Sequence, residues 1–111
     1  MTIHKPLALI ALCAMPLLCA AETWTNVSLV DVNCSAKVKD KPDAHTRSCA
    51  LQCAKSGFGI LTQDGAFLKF DAPGNEQALT ALKASAASDH LRATVTGERE
   101  GDVIKVKSVK L

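Results

Sequence analysis

Alternation of apolar and polar positions runs through the chain from Thr23 onward and predicts five strands and two helices. Between Thr23 and Val32, residues Thr25, Val27, Leu29 and Asp31 fall on one face and Trp24, Ser28, Val30 and Val32 on the other. That describes a long first strand with both faces partly covered. Residues 33–46 break the pattern: Lys37, Lys39, Asp40, Lys41, Pro42 and Asp43 have no apolar period, and a surface loop is expected. Ser48 to Ser56 carries Cys49, Ala50, Leu51, Cys53 and Ala54 with no β-branched residue and meets Gly57, which reads as a short helix capped by Asp43 or Ser48.

Phe58–Thr62 and Phe67–Phe70 are short strands joined through Asp64-Gly65, a hairpin signal in which both turn residues must accept positive φ. Asp71-Ala-Pro-Gly74 ends that hairpin. Asn75 to Ala87 then places Ala78, Leu79, Leu82 and Ala86 at helical spacing, with Asn75 as the cap. Leu91, Ala93 and Val95 alternate with Arg92, Thr94 and Thr96; after a turn at Glu98–Asp102, Ile104 and Val106 alternate with Lys105 and Lys107. This predicts a second hairpin with one buried and one wet face. The order of elements predicts a mainly β domain with two helices, a five-stranded OB-like Greek-key barrel. One helix is inserted between strands 1 and 2 and the other lies between strands 3 and 4. An α+β open sheet is the alternative, since order alone does not fix closure.

Ahead of this domain, Lys5 precedes an apolar run from Leu7 to Leu18, broken only by Pro16 and followed by Cys19-Ala20-Ala21. A basic start, an apolar run too short to span a bilayer and small residues before the cut describe a secretory signal peptide over 1–21, with the domain at 22–111. The protein is therefore expected to be exported, periplasmic or secreted, with no membrane span after cleavage. Lipid anchoring at Cys19 is the rival, but that pattern calls for a small residue before the cysteine, and Leu18 is bulky.

Loss of residues 1–21 removes Lys5 and no acid, so the formal charge falls from +2 to +1, twelve basic against eleven acidic side chains. With one Trp, three Phe and no Tyr, the domain has neither the basic excess nor the stacking aromatics of a nucleic-acid binder. No Ser-His-Asp order, paired carboxylates in an apolar setting, phosphate loop or metalloprotease helix is visible, so enzymatic function has no positive support. The expected partner is a small ligand or another envelope protein.

The domain keeps three cysteines, Cys34, Cys49 and Cys53, an odd number for an exported protein. Cys49 and Cys53, one helical turn apart on one face, are poorly placed to pair with each other. Cys34 is therefore expected to bond Cys53, or else Cys49, for a gain of roughly 3 kcal/mol on the chain-entropy model. The second reading is a metal site. Cys34, His45, Cys49 and Cys53 supply three thiolates and an imidazole, the ligand set of a tetrahedral zinc or a Cu(I) centre, although their spacing departs from the Cys-x2-Cys knuckle. In the first reading no cofactor is expected. His90, at a helix–strand junction, reads as a surface residue. A mildly basic, hydroxyl-rich face formed by Arg92, Thr94, Thr96, Lys105 and Lys107 is the candidate binding face of the barrel, although with so few aromatics the plainer reading is of solvated strand faces and edge charges that resist aggregation.

Several runs carry a resemblance: Thr23-Trp24-Thr25-x-Val27-Ser28, Cys34 after an Asp-x-x step, His45-x3-Cys49-x3-Cys53-x3-Gly57, Asp64-Gly65-x-Phe67-x-Lys69-Phe70, and Val95-Thr96-Gly97 with Gly101-Asp102-x-Ile104-x-Val106. Together they are similar to small exported bacterial proteins of an uncharacterised OB-like family. The resemblance covers most of residues 22–111 and implies the fold, with no activity to carry over. Members of that family often have Cys-Gly-x-x-His where this chain has Cys34-Ser35-Ala36-Lys37-Val38, which implies that the histidine is missing here.

Overall fold

The computed structural model describes residues 21–111, so the expected signal peptide up to Ala20, Cys19 included, lies outside the described residues. The fold is mainly β. Strands β1 (Glu22–Asp31), β2 (Phe58–Leu61), β3 (Phe67–Phe70), β4 (Arg92–Glu100) and β5 (Val103–Lys110) close into a barrel in the order β1-β2-β3-β5-β4, with β4 returning to β1. Helix α1 (Arg47–Gln52) falls between β1 and β2 in the chain, and α2 (Ala72–Ala84) between β3 and β4. The open sheet is thereby set aside. Neighbouring strands are antiparallel except β3 and β5, which run parallel over Lys69↔Val103 and Phe70↔Ile104.

The alternation of β4 and β5 sends Ala93, Val95, Ile104 and Val106 inward, where they meet Val27, Leu29, Phe58, Ile60, Leu68 and Phe70. Helix α2 adds Ala78 and Leu82, four residues apart on its buried face, and α1 adds Ala50. Strand β1 departs from simple alternation: from Val27 to Asp31 every residue is buried. Its second face is covered because the supposed surface loop folds back as a 3-10 turn, Pro42–Ala44, packed against β1.

Several boundaries differ from expectation for local reasons. Helix α1 is capped by Thr46, whose hydroxyl accepts the Cys49 N–H, rather than by Asp43 or Ser48. It ends at Gln52; a 3-10 turn, Ala54–Ser56, then leads to Gly57 at φ 89°, the expected stop. Helix α2 starts three residues early because Asp71 caps it, accepting the Gly74 N–H, with Pro73 in the first turn, where its missing N–H costs nothing. Asn75 has other work, its Oδ1 accepting the Phe58 N–H at 2.8 Å. In the first hairpin only Gly65 takes positive φ; the loop is closed by Thr62, which bonds Ala66 through its backbone and donates its hydroxyl to the Asp64 carboxylate. The second turn is the two residues between Glu100 and Val103. Among the described residues no helix is long and apolar enough to cross a membrane.

Candidate functional site

The end of β1 and the end of α1 meet at one corner, held by hydrogen bonds from the backbone N–H groups of Val32, Asn33 and Cys34. Asp31, with no exposed surface, accepts the Cys34 N–H on Oδ2 at 3.0 Å and so caps a 3-10 turn, Val32–Cys34. The Val32 N–H extends the β1–β2 ladder to the Gly57 carbonyl at 2.8 Å, and the Asn33 N–H donates to Ser56 Oγ at 3.1 Å. These two bonds seat the turn on the segment that follows α1. Cys53, the C-cap of α1, is thereby brought beside Cys34. The two Sγ atoms and a carboxylate oxygen of Asp31 all lie within 4.8 Å of one another. Asn33 Nδ2 donates to Cys53 Sγ at 3.6 Å.

Behind this corner stands His45. Its side chain is 3% exposed, and its Nε2 is hydrogen-bonded to Asp31 Oδ1 at 2.8 Å. Fixing it there needs the turn at Pro42–Ala44, whose Pro42 carbonyl accepts the His45 N–H, and the Thr46 cap that follows. Both Asp31 oxygens are thus engaged, which is the condition for keeping a carboxylate out of water. The Cys34 thiol is pushed up to about 11, first by burial and then by the Asp31 carboxylate and Cys53. At neutral pH it keeps its proton.

Of the four residues read as a ligand set, Cys34 and Cys53 come together. Cys49 lies exposed on α1, and His45 faces Asp31. All three cysteines are free thiols in this structure. Asp31, which the pattern assigned merely to one face of a strand, is the residue that sequence reasoning missed. The available signal was a lone acid at the end of an apolar strand, three residues before a cysteine, the spacing at which a carboxylate caps a turn.

The candidate binding face is divided. Arg92 is held by Asp43 in a two-pronged ion pair, Nε–Oδ1 2.9 Å and Nη2–Oδ2 2.8 Å, and its Nη1 donates to the Asn26 carbonyl at 3.1 Å. That pairing holds the Asp43 carboxyl below, and the Arg92 guanidinium above, their usual ranges. Thr96 meets Thr23, hydroxyl to hydroxyl at 3.2 Å, and Lys105 pairs with Glu100 at 3.0 Å. Thr94 joins Arg92, Asn26 and Lys110 around a shallow groove of about 350 Å³, and Lys107 is exposed. His90 lies on the surface as expected, at φ 51° and against Asp89, whose hydrogen bond raises its pKa. Comparison with protein families, curated proteins and solved structures finds no match for this chain.

Proposed function

We propose that this protein is an exported, non-catalytic OB-like domain that binds a small ligand or another envelope protein through its barrel surface, with Cys34 and Cys53 closing as a covalent staple. The observation that carries the reading is the approach of these two thiols to within 4.8 Å, while Cys49 stands exposed on α1. Side-chain rotation with a small shift of the turn closes such a gap to the roughly 2.05 Å of a disulfide, with the two thiol protons and two electrons passing to a disulfide-exchanging oxidant of the envelope. The staple ties the end of β1 to the end of α1, where otherwise only a few hydrogen bonds hold the corner. For a barrel of about ninety residues a gain near 3 kcal/mol is a large share of the stability available. The strand order supports the OB-like reading, and the outward positions of β4 and β5, Thr94, Lys105 and Lys107 among them, supply its surface.

Intact mass and thiol counting on protein recovered from the envelope without reductant test this. The expected protein begins after Ala21, is two hydrogens lighter than its reduced form and has one alkylatable thiol. Three alkylatable thiols in metal-free protein contradict the staple.

A further inference from the structure

In reduced protein the same corner offers a second chemistry. Two half-buried thiols and a fully buried carboxylate converge from three positions, 31, 34 and 53, that hydrogen bonds already fix. We infer that Cys34, Cys53 and Asp31 form a binding site for one Zn(II) ion, with His45 as the positioning residue behind the carboxylate. The inference rests on reading Cys34 and Cys53 as one functional pair; zinc and the disulfide are then alternative states of the same two sulfurs.

The donor set selects the ion. Two thiolates with one carboxylate suit borderline Zn(II) better than Cu(I), which favours sulfur throughout, or Mg(II) and Ca(II), which take oxygen. Tetrahedral zinc with bonds of about 2.3 Å to sulfur and 2.0–2.2 Å to oxygen sets its donors roughly 3.5–3.8 Å apart. Here they lie within 4.8 Å, so the site closes by about an ångström, within reach of side-chain rotation at a turn and a helix cap. Binding releases the two thiol protons to solvent, leaving both sulfurs as thiolates. Asn33 Nδ2, already aimed at Cys53 Sγ, then donates to a charged acceptor. The bond from His45 Nε2 to Asp31 Oδ1 holds the carboxylate in one orientation, the part that outer-shell partners play in metal sites. Cys34 and Cys53 are only half-buried, so water can supply the fourth ligand.

Titration of the reduced, metal-free protein with Zn(II) against a chromophoric chelator tests this, with Co(II) as a second probe for its thiolate charge-transfer band. One equivalent should bind and protect two thiols from alkylation, leaving Cys49 reactive. Cys34→Ser and Asp31→Asn should each weaken binding at least tenfold, and Cys49→Ser should leave it unchanged. His45→Leu should weaken it by about 10–100-fold, with His45→Gln, which keeps an N–H donor, restoring most of the affinity. Trp24 fluorescence reports which variants are folded; Cys34→Ser, at a half-exposed position, keeps the test open if Asp31→Asn does not fold. Affinity unchanged in folded Cys34→Ser, or three thiols alkylated equally fast with and without zinc, overturns the site. A protein that forms the staple but ignores zinc when reduced overturns this inference alone; one that binds zinc and never forms the disulfide overturns the staple alone.

Discussion

Replacing His45 by alanine strikes the arrangement at its most buried point. The imidazole is 3% exposed and the Asp31 side chain has no exposure, so solvent does not share the 2.8 Å bond. Breaking a buried pair by removing one partner costs about 3–5 kcal/mol. The lower end of that range applies, because Asp31 Oδ2 still accepts the Cys34 N–H. A domain of about ninety residues has roughly 5–10 kcal/mol in all, so His45→Ala should remove about a third or more of it. Urea unfolding of the fully reduced protein, followed by fluorescence of the single tryptophan, Trp24, reads this directly, since that ring packs against the core. With a slope of about 1–1.5 kcal/mol/M the midpoint should fall by about 2–3 M. Asp31→Leu combined with His45→Leu should recover part of the loss, because an apolar pair leaves neither side chain orphaned, although the Cys34 N–H then loses its acceptor. A loss below about 1 kcal/mol for His45→Ala, or single and double variants whose costs simply add, would refute the reasoning.

Other expectations follow from separate parts of the molecule. Asp43 is depressed by Arg92, so its folded-state pKa lies below its unfolded one: the pair contributes stability above the unfolded value and loses it as pH falls through the folded one. Asp43→Asn should therefore flatten the stability profile on the acid side of about pH 4, and an unchanged slope would count against the pair. A Cβ on Gly74 would stand 2.5 Å from Val106 Cγ2 and 2.9 Å from Phe70 Cβ. Gly74→Ala should thus destabilise by about 1–2 kcal/mol even after its gain in helix propensity, lowering Tm by about 5–10 °C; a raised Tm would contradict that packing. With its thiol at about 11, Cys34 is about one part in a thousand thiolate at pH 8. Its alkylation in reduced, metal-free protein, followed by peptide mass, should rise about tenfold per pH unit up to that region. A plateau below pH 9 would contradict the burial beside Asp31.

The barrel strands were legible because their periodicity is local. Ala93, Val95, Ile104 and Val106 alternate with polar neighbours, and the structure buries these four. The sequence pattern places the start of α2 too late because Asp71-Ala-Pro-Gly74 carries turn residues that are also a cap and a first-turn proline; only the helix that follows decides between them. The corner around Asp31 was harder to see. The pairing of Cys34 and Cys53 could be argued from spacing, but the burial of His45 depends on a polar run folding back over β1, fourteen residues from its partner. No periodicity encodes such a contact. Arg92 and Asp43, 49 residues apart, are hidden from the pattern in the same way, and their pairing takes from the basic face a charge that the sequence had left free.

In the proposed function Cys34 and Cys53 work as one site and Cys49 stands apart. Proteolytic mapping of protein purified without reductant and alkylated before digestion tests it most directly. A cross-linked pair of peptides joining Cys34 to Cys53, with Cys49 alkylated, is the expected result. A disulfide that includes Cys49 would contradict it.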